Sequence, residues 1–170
     1  GGDVLMGSII TRDLAIHRKI QATHMHLGLA VGVNDQETIL RSLPSMSLRY
    51  YAQDAAARQL AQLMAQHPAV VQLLHPAFAG APGHAHWQAL CGGATGPHGL
   101  PGAAAGLFSV VIDPQFTQQQ IDTFCESLQL FKLAYSWGGP VSLVVRFSVG
   151  LEEVRDLQAD MAQALRKAFG

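Results

Sequence analysis

Apolar and polar positions along this chain follow two successive rhythms, and the change between them predicts how it is built. The run from Asp3 to Thr11, DVLMGSIIT, is short and apolar and predicts a strand buried on both faces. Residues 13–27 predict a weakly amphipathic helix ended by Gly28. Asn34 to Glu37 predict a second helix start, with Asn34 capping, Glu37 reaching back, and Ile39, Leu40 and Leu43 following at helical spacing. Pro44 breaks that spacing, because proline offers no N–H and its ring crowds the preceding turn, so a kink or restart is expected there. From Ser45 to His67 the positions Leu48, Tyr51, Ala52, Ala55, Ala56, Leu60, Leu63 and Met64 predict the longest helix, stopped by Pro68.

Beyond it the rhythm becomes mixed. Val70 to Leu74, VVQLL, predicts a strand, and residues 80–106, dense in Gly, Pro and Ala, predict a long loop with one helical turn near Trp87. LFSVVID from Leu107 predicts a strand. TQQQIDTFCESL then opens with the Thr117-x-x-Gln120 capping box and sets Ile121, Phe124, Cys125 and Leu128 on one face. LFKLAY and VVRFSV predict two further strands. The last helix, Leu151 to Phe169, carries an apolar stripe of Leu151, Val154, Leu157, Met161, Leu165 and Ala168. Glu152 and Glu153 in its first turn, and Arg166 and Lys167 in its last, complement the helix dipole. The fold class is therefore α/β to α+β: a mostly helical first unit around one strand, then an open sheet with helices packed on one face. The boundary is expected near residues 44–70.

Composition narrows the partners. The chain has 170 residues, 49% hydrophobic and 14% charged, with a net charge of −1 and no Lys/Arg block. Nucleic acid and anionic membrane both demand concentrated positive charge, so neither is an expected partner. No apolar run approaches the ~20 residues of a membrane span. So few charges for so much Ala, Gly and Leu imply surface hidden against another subunit or further chain. The two cysteines, Cys91 and Cys125, lie far apart and in no metal-ligand spacing, which predicts a reduced, cytoplasmic setting. The opening GGDVLMGS has neither an initiating Met nor a signal-type core, and it reads as the interior of something longer.

The candidate chemistry sits in AYSWGGPVSLVVRFSVGLEE, from Ala134 to Glu153. Period-two alternation in VVRFSV puts Val145, Phe147 and Val149 on one face and Val144, Arg146 and Ser148 on the other. Arg146 is then either an edge arginine paired with a nearby carboxylate, or a fork for a carboxylate or phosphate that arrives from outside. Guanidinium geometry suits the second role, because it offers two parallel N–H groups. Ser136, flanked by Tyr135 and Trp137 and followed by two glycines, adds polar contacts at a strand end, where binding sites commonly lie. The eight histidines include His24-Met25-His26 and His84-Ala85-His86, but neither pair has the i, i+4 spacing of a zinc site, so no metal is expected. GGATGPHG is glycine-rich without the lysine or the strand-loop-helix setting of a phosphate loop.

Several of these segments, taken in order, resemble the C-terminal part of the Cys/Met-metabolism family of pyridoxal-phosphate enzymes, most of all its cystathionine β-lyase branch. GGDVLMGSI resembles the segment just after the family's cofactor lysine. LRSLPSMSLR (Leu40 to Arg49) is similar to a family helix, departing from it at Ser42, Pro44 and Met46. VVQLLHPAF followed by PGHAHW, AYSWGG, and VRFSVGLEEVRDLQADMAQAL match further stretches. The resemblance implies the end of a fold-type-I large domain over 1–44, a long linking helix over 45–67, and a small α+β domain over 68–170. It implies that Arg146 grips a substrate α-carboxylate, with Ser136, Tyr135 and Trp137 beside it. It also implies pyridoxal 5'-phosphate as cofactor, and a homo-oligomer built as a dimer of dimers. The implied reaction is β-elimination of cystathionine to homocysteine, pyruvate and ammonia, with a γ-acting relative as the alternative. A non-catalytic module that binds a small carboxylate or mediates oligomerisation is the third reading. Departures bear on this. None of Lys19, Lys132 and Lys167 lies in a motif like that of the Schiff-base lysine, which the resemblance places just before Gly1. Val141 replaces the usual Glu, and the connection from Ser142 to Arg146 is shorter than in relatives.

Overall fold

The computed structural model describes residues 3–93, 99, 101–104, 106–135, 139–144 and 146–170. The chain forms two compact units, Gly1–Met46 and Ser47–Gly170.

In the first unit, helix α1 spans Leu14–His26, its N-terminus capped by Asp13, whose side chain accepts from the Ile16 amide at 2.9 Å. Gly28, at φ +63°, supplies the left-handed residue that lets the chain leave the helix. Helix α2 spans Val33–Ser42. It begins one residue before Asn34, so Asn34 is not its cap. Gly32 takes that place in extended conformation, and the ladder opens with the Gln36 amide donating to Gly32 O at 3.0 Å. Glu37, expected to reach back, pairs forward with Arg41 at 3.2 Å. Pro44 acts as expected: a 3-10 turn over Leu43–Ser45 separates α2 from α3, Met46–Ala65. The strand expected over Asp3 to Thr11 is not formed. All five strands among the described residues lie in the second unit, so this run has no ladder to complete, and Leu5 and Ile10 are 104% and 91% exposed.

The second unit is an open five-stranded sheet carrying helices. Strand β1 is Val70–Leu74, followed by helix α4, His84–Cys91, then β2, Leu107–Ile112, and helix α5, Gln118–Ser127. Three two-residue strands complete the sheet, β3 Lys132–Leu133, β4 Leu143–Val144 and β5 Phe147–Ser148, before the final helix α6, Val154–Phe169. The order across the sheet is β1-β2-β5-β4-β3, antiparallel except for the β3–β4 pair, which is parallel. One core joins Ala57, Leu60 and Met64 of α3, Phe124 of α5, Leu157, Met161 and Leu165 of α6, and Phe108, Val144 and Phe147 of the strands. Phe108 and Phe147 face each other across β2 and β5 with stacked rings 4.7 Å apart.

The capping box of α5 forms as expected, the Thr117 hydroxyl accepting from the Gln120 amide and the Gln120 side chain accepting from the Thr117 amide. Three readings are corrected. VVRFSV is not one strand: it folds back at Arg146 into β4 and β5, with Leu143 opposite Ser148. Val144, Phe147 and Val149 consequently all reach the core, and the predicted alternation of faces does not hold; Val145 lies outside the described residues. Helix α6 starts at Val154, because Glu153 serves as its cap and Glu152 is turned toward Ser142. The buried stripe of α3 is also rotated from the predicted one. Leu48 is 73% exposed, while Asp54 lies buried beside Ala57 and Ala61.

Asp160 of α6 fixes the connection between α5 and β3. Its carboxylate accepts from the amides of Gln129 and Leu130 at 2.8 Å each, from Phe131 at 3.4 Å, and from Gln163 Nε2 at 3.1 Å. An amide in its place presents one acceptor oxygen and turns an NH₂ toward backbone donors. Asp160→Asn is therefore expected to lower unfolding free energy by about 2 kcal/mol, read from the midpoint of a urea titration.

Candidate functional site

The parallel pairing of β3 and β4 positions the site. Lys132 lies opposite Leu143 and Leu133 opposite Val144, so the chain leaves both strands at the same end of the sheet. The Ala134 amide donates to Val144 O at 3.4 Å at that end. Tyr135 comes off one strand there, 88% exposed, and Arg146 follows the other, exposed on the turn into β5. The structure thus brings together two of the four residues that the sequence nominates. Ser136 and Trp137 lie outside the described residues.

The opposite end of the β4–β5 pair is held by Gln53, which sequence reasoning did not single out, and by Glu152, which it placed in the first turn of the last helix. Gln53 Nε2 on α3 donates to Gly139 O at 3.0 Å and to Val149 O at 2.9 Å. Glu152 accepts from the Ser142 amide at 2.6 Å and from the Ser142 hydroxyl at 2.9 Å, and that hydroxyl accepts from the Gly150 amide at 2.9 Å. Gly150 has no room for a side chain, since a Cβ there would collide with Pro140 O and the Glu152 carboxylate. No periodicity marks Gln53 or Glu152. Gln53 adjoins Asp54 and Glu152 adjoins Glu153, so neither stands out from its neighbours by polarity.

A second polar cluster ties the segment after α4 to α3. Asp54 is held bidentately by Arg58, Nε to Oδ1 at 2.8 Å and a terminal nitrogen to Oδ2 at 3.1 Å, and it also accepts from the Ala104 amide at 3.3 Å. Arg58 donates further to Pro101 O at 3.1 Å and lies 5.6 Å from the centre of the Trp87 ring. Burial pushes the Tyr50 phenol above its ordinary pKa, with the Asp54 charge adding to it. Burial likewise raises the Cys125 thiol, helped by Asp122 and Glu126, which leaves it little thiolate and suits a packing role. A groove of about 860 Å³ between α3 and α6 is lined by Gln59, Gln62, Gln66, Gln158, Leu63 and Phe78, among others. Neither Tyr135 nor Arg146 lines it.

With this geometry established, likeness to known proteins becomes informative. A profile of the family described as Cys/Met metabolism PLP-dependent enzymes matches residues 1–145. The chain belongs to that family. It is 33% identical to a cystathionine β-lyase of Bordetella avium across 98% of this chain and 44% of that protein. A cystathionine β-lyase of Salmonella typhimurium is 30% identical across 72% of this chain and 34% of its own length. Among solved structures, a methionine γ-lyase of Micromonospora echinospora superposes with a TM-score of 0.73 at 25% identity, over 92% of this chain and 43% of that one. The chain therefore spans less than half the length of the relatives it matches. Its architecture is that of the fold-type-I pyridoxal-phosphate enzymes, as the sequence implies.

The family's cofactor is pyridoxal phosphate, and the residues present can be tested against it. A Schiff-base lysine needs a desolvated amine or a neighbouring cation. Lys19 lies exposed on α1, Lys132 is exposed and donates to Gln129 O at 2.9 Å, and Lys167 lies exposed in the last turn of α6. None fits that role. Among the described residues, Arg146 and Tyr135 follow the paired ends of β4 and β3. Among the described residues no helix is long and apolar enough to cross a membrane.

Proposed function

We propose that the chain is the C-terminal portion of a pyridoxal-phosphate-dependent carbon–sulfur lyase, whose reaction is the β-elimination of cystathionine to homocysteine, pyruvate and ammonia. The observation that carries this reading is the 33% identity to a cystathionine β-lyase over 98% of the chain. The Tyr135-Ser136-Trp137 run, which resembles the active-site turn of the β-lyases, supports it. In this reading residues 1–44 end the large cofactor domain, 45–67 link it onward, and 68–170 form the small domain. The cofactor, seated by residues other than these, supplies the electron sink. The chain's own contribution is orientation. Arg146 pairs with the substrate α-carboxylate through parallel N–H groups, and Tyr135, Ser136 and Trp137 border the amino acid so held. The enzyme works in the cytoplasm as a dimer of dimers.

The test is product analysis with the complete, cofactor-loaded protein and cystathionine. Pyruvate is expected. The second reading, γ-elimination, is favoured by the likeness to a methionine γ-lyase structure. Under it 2-oxobutyrate appears instead, and that product would remove the β assignment.

A further inference from the structure

The residues that hold the base of the β4–β5 hairpin do more than close a loop. Ser142 and Gly150 are fastened to each other through the Ser142 hydroxyl, and β4, Arg146 and β5 lie between them. Arg146 sits at the middle of that segment, four positions from each fastened end. Glu152 sets the Ser142 hydroxyl by occupying its proton, so that the oxygen lone pair is presented to the Gly150 amide. On the other side Gln53 spends both N–H bonds of one amide on carbonyls from two separate segments. One, Gly139, lies immediately after the Ser136–Gly138 run; the other, Val149, lies three positions after Arg146. The Leu151 amide adds a direct stitch to Pro140 O at 2.8 Å. The same short span therefore fixes residues 139–142 and the feet of the hairpin that carries Arg146.

We infer that Gln53 and Glu152 are positioning residues, which hold the feet of the hairpin that carries Arg146 and so set where its guanidinium meets the substrate. The inference rests on the proposed carboxylate role of Arg146. Chemistry selects both residues. Position 53 faces two carbonyl oxygens, which only a donor satisfies; position 152 faces an N–H and an O–H, which only an acceptor satisfies. Gln53→Glu keeps the shape and reverses the chemistry, setting a carboxylate against two carbonyls. Glu152→Gln likewise keeps the shape and turns an NH₂ toward one of the Ser142 donors.

The experiment uses the complete, cofactor-loaded enzyme and reads two quantities. Amide hydrogen exchange over residues 139–144 is expected to quicken in both variants. KM for cystathionine is expected to rise roughly tenfold while kcat changes little, as befits a loss of orientation in binding. In an Arg146→Ala background the same substitutions should add nothing further to KM, because their effect passes through the guanidinium. Faster exchange with an unchanged KM would overturn the inference, leaving the two as structural staples. An undiminished KM rise in the Arg146→Ala background would overturn it as well. If Arg146→Ala by itself leaves KM unaltered, the carboxylate reading falls and the inference falls with it. If Arg146→Ala raises KM and Gln53→Glu does not, the inference falls alone.

Discussion

If Arg146 clamps the substrate as proposed, Arg146→Ala in the complete enzyme is expected to lower kcat/KM for cystathionine about a hundredfold, mostly through KM, since truncating one partner of a hydrogen-bonded charge pair that the bound substrate buries costs roughly 2–5 kcal/mol. Arg146 is exposed on the turn after β4, at the end of the sheet where Tyr135 leaves β3. Arg146→Lys should recover only part of the loss, because an ammonium is a point charge and cannot match a carboxylate with two parallel bonds. A substrate analogue with an amide in place of the α-carboxylate should discriminate poorly between wild type and Arg146→Ala. Kinetics of Arg146→Ala indistinguishable from wild type would end the proposed role.

Arg58→Ala carries the largest expected cost in stability, about 3–5 kcal/mol, because it strands the Asp54 carboxylate where only 1% of the residue is exposed. The loss extends beyond the ion pair. Pro101 O loses a donor, and Trp87, whose Nε1 donates to Ala103 O at 2.9 Å, loses the cation over its ring. The segment around Gly102 should loosen with it. Gly102 adopts φ +65°, and a Cβ there would meet the Cys91 carbonyl at 2.5 Å and the Trp87 ring at 2.7 Å, so the segment has little freedom to repack. Urea denaturation measures the loss. The double variant Asp54→Leu, Arg58→Met should recover most of it, since removing both charges leaves no buried ion to solvate. A single-variant loss below about 1 kcal/mol would show instead that water reaches Asp54 readily.

Helices announced themselves best in the sequence, for a physical reason. Leu157, Met161, Leu165 and Ala168 repeat at helical spacing and all are buried, so period alone finds α6. Thr117 and Gln120 likewise specify α5 through bonds made within four residues. Strands were legible only where they were long. Val70–Leu74 matches its reading, whereas VVRFSV alternates like one strand and folds as two, because its turn is set by pairing to β2 and β3 rather than by local composition. The run from Asp3 to Thr11 shows the converse: strand-like residues form no strand where none of the described residues of their own unit forms one to pair with. Of the site, Arg146 stood out as a lone charge among apolar neighbours. Gln53 did not, because its two bonds span 86 and 96 positions and no short-range pattern encodes them.

The fastening of Ser142 to Gly150 separates reach from register. With its two feet anchored, the hairpin that bears Arg146 is free to grow or shrink at its tip without any strand sliding past its neighbour. Closing a longer segment is entropically mild, about 0.6 kcal/mol for each doubling of length. Descendants of one ancestral scaffold could thus set the depth of the guanidinium by adding or removing residues at a single point, and so accommodate amino acids of different length, while the layers beneath stay as they are.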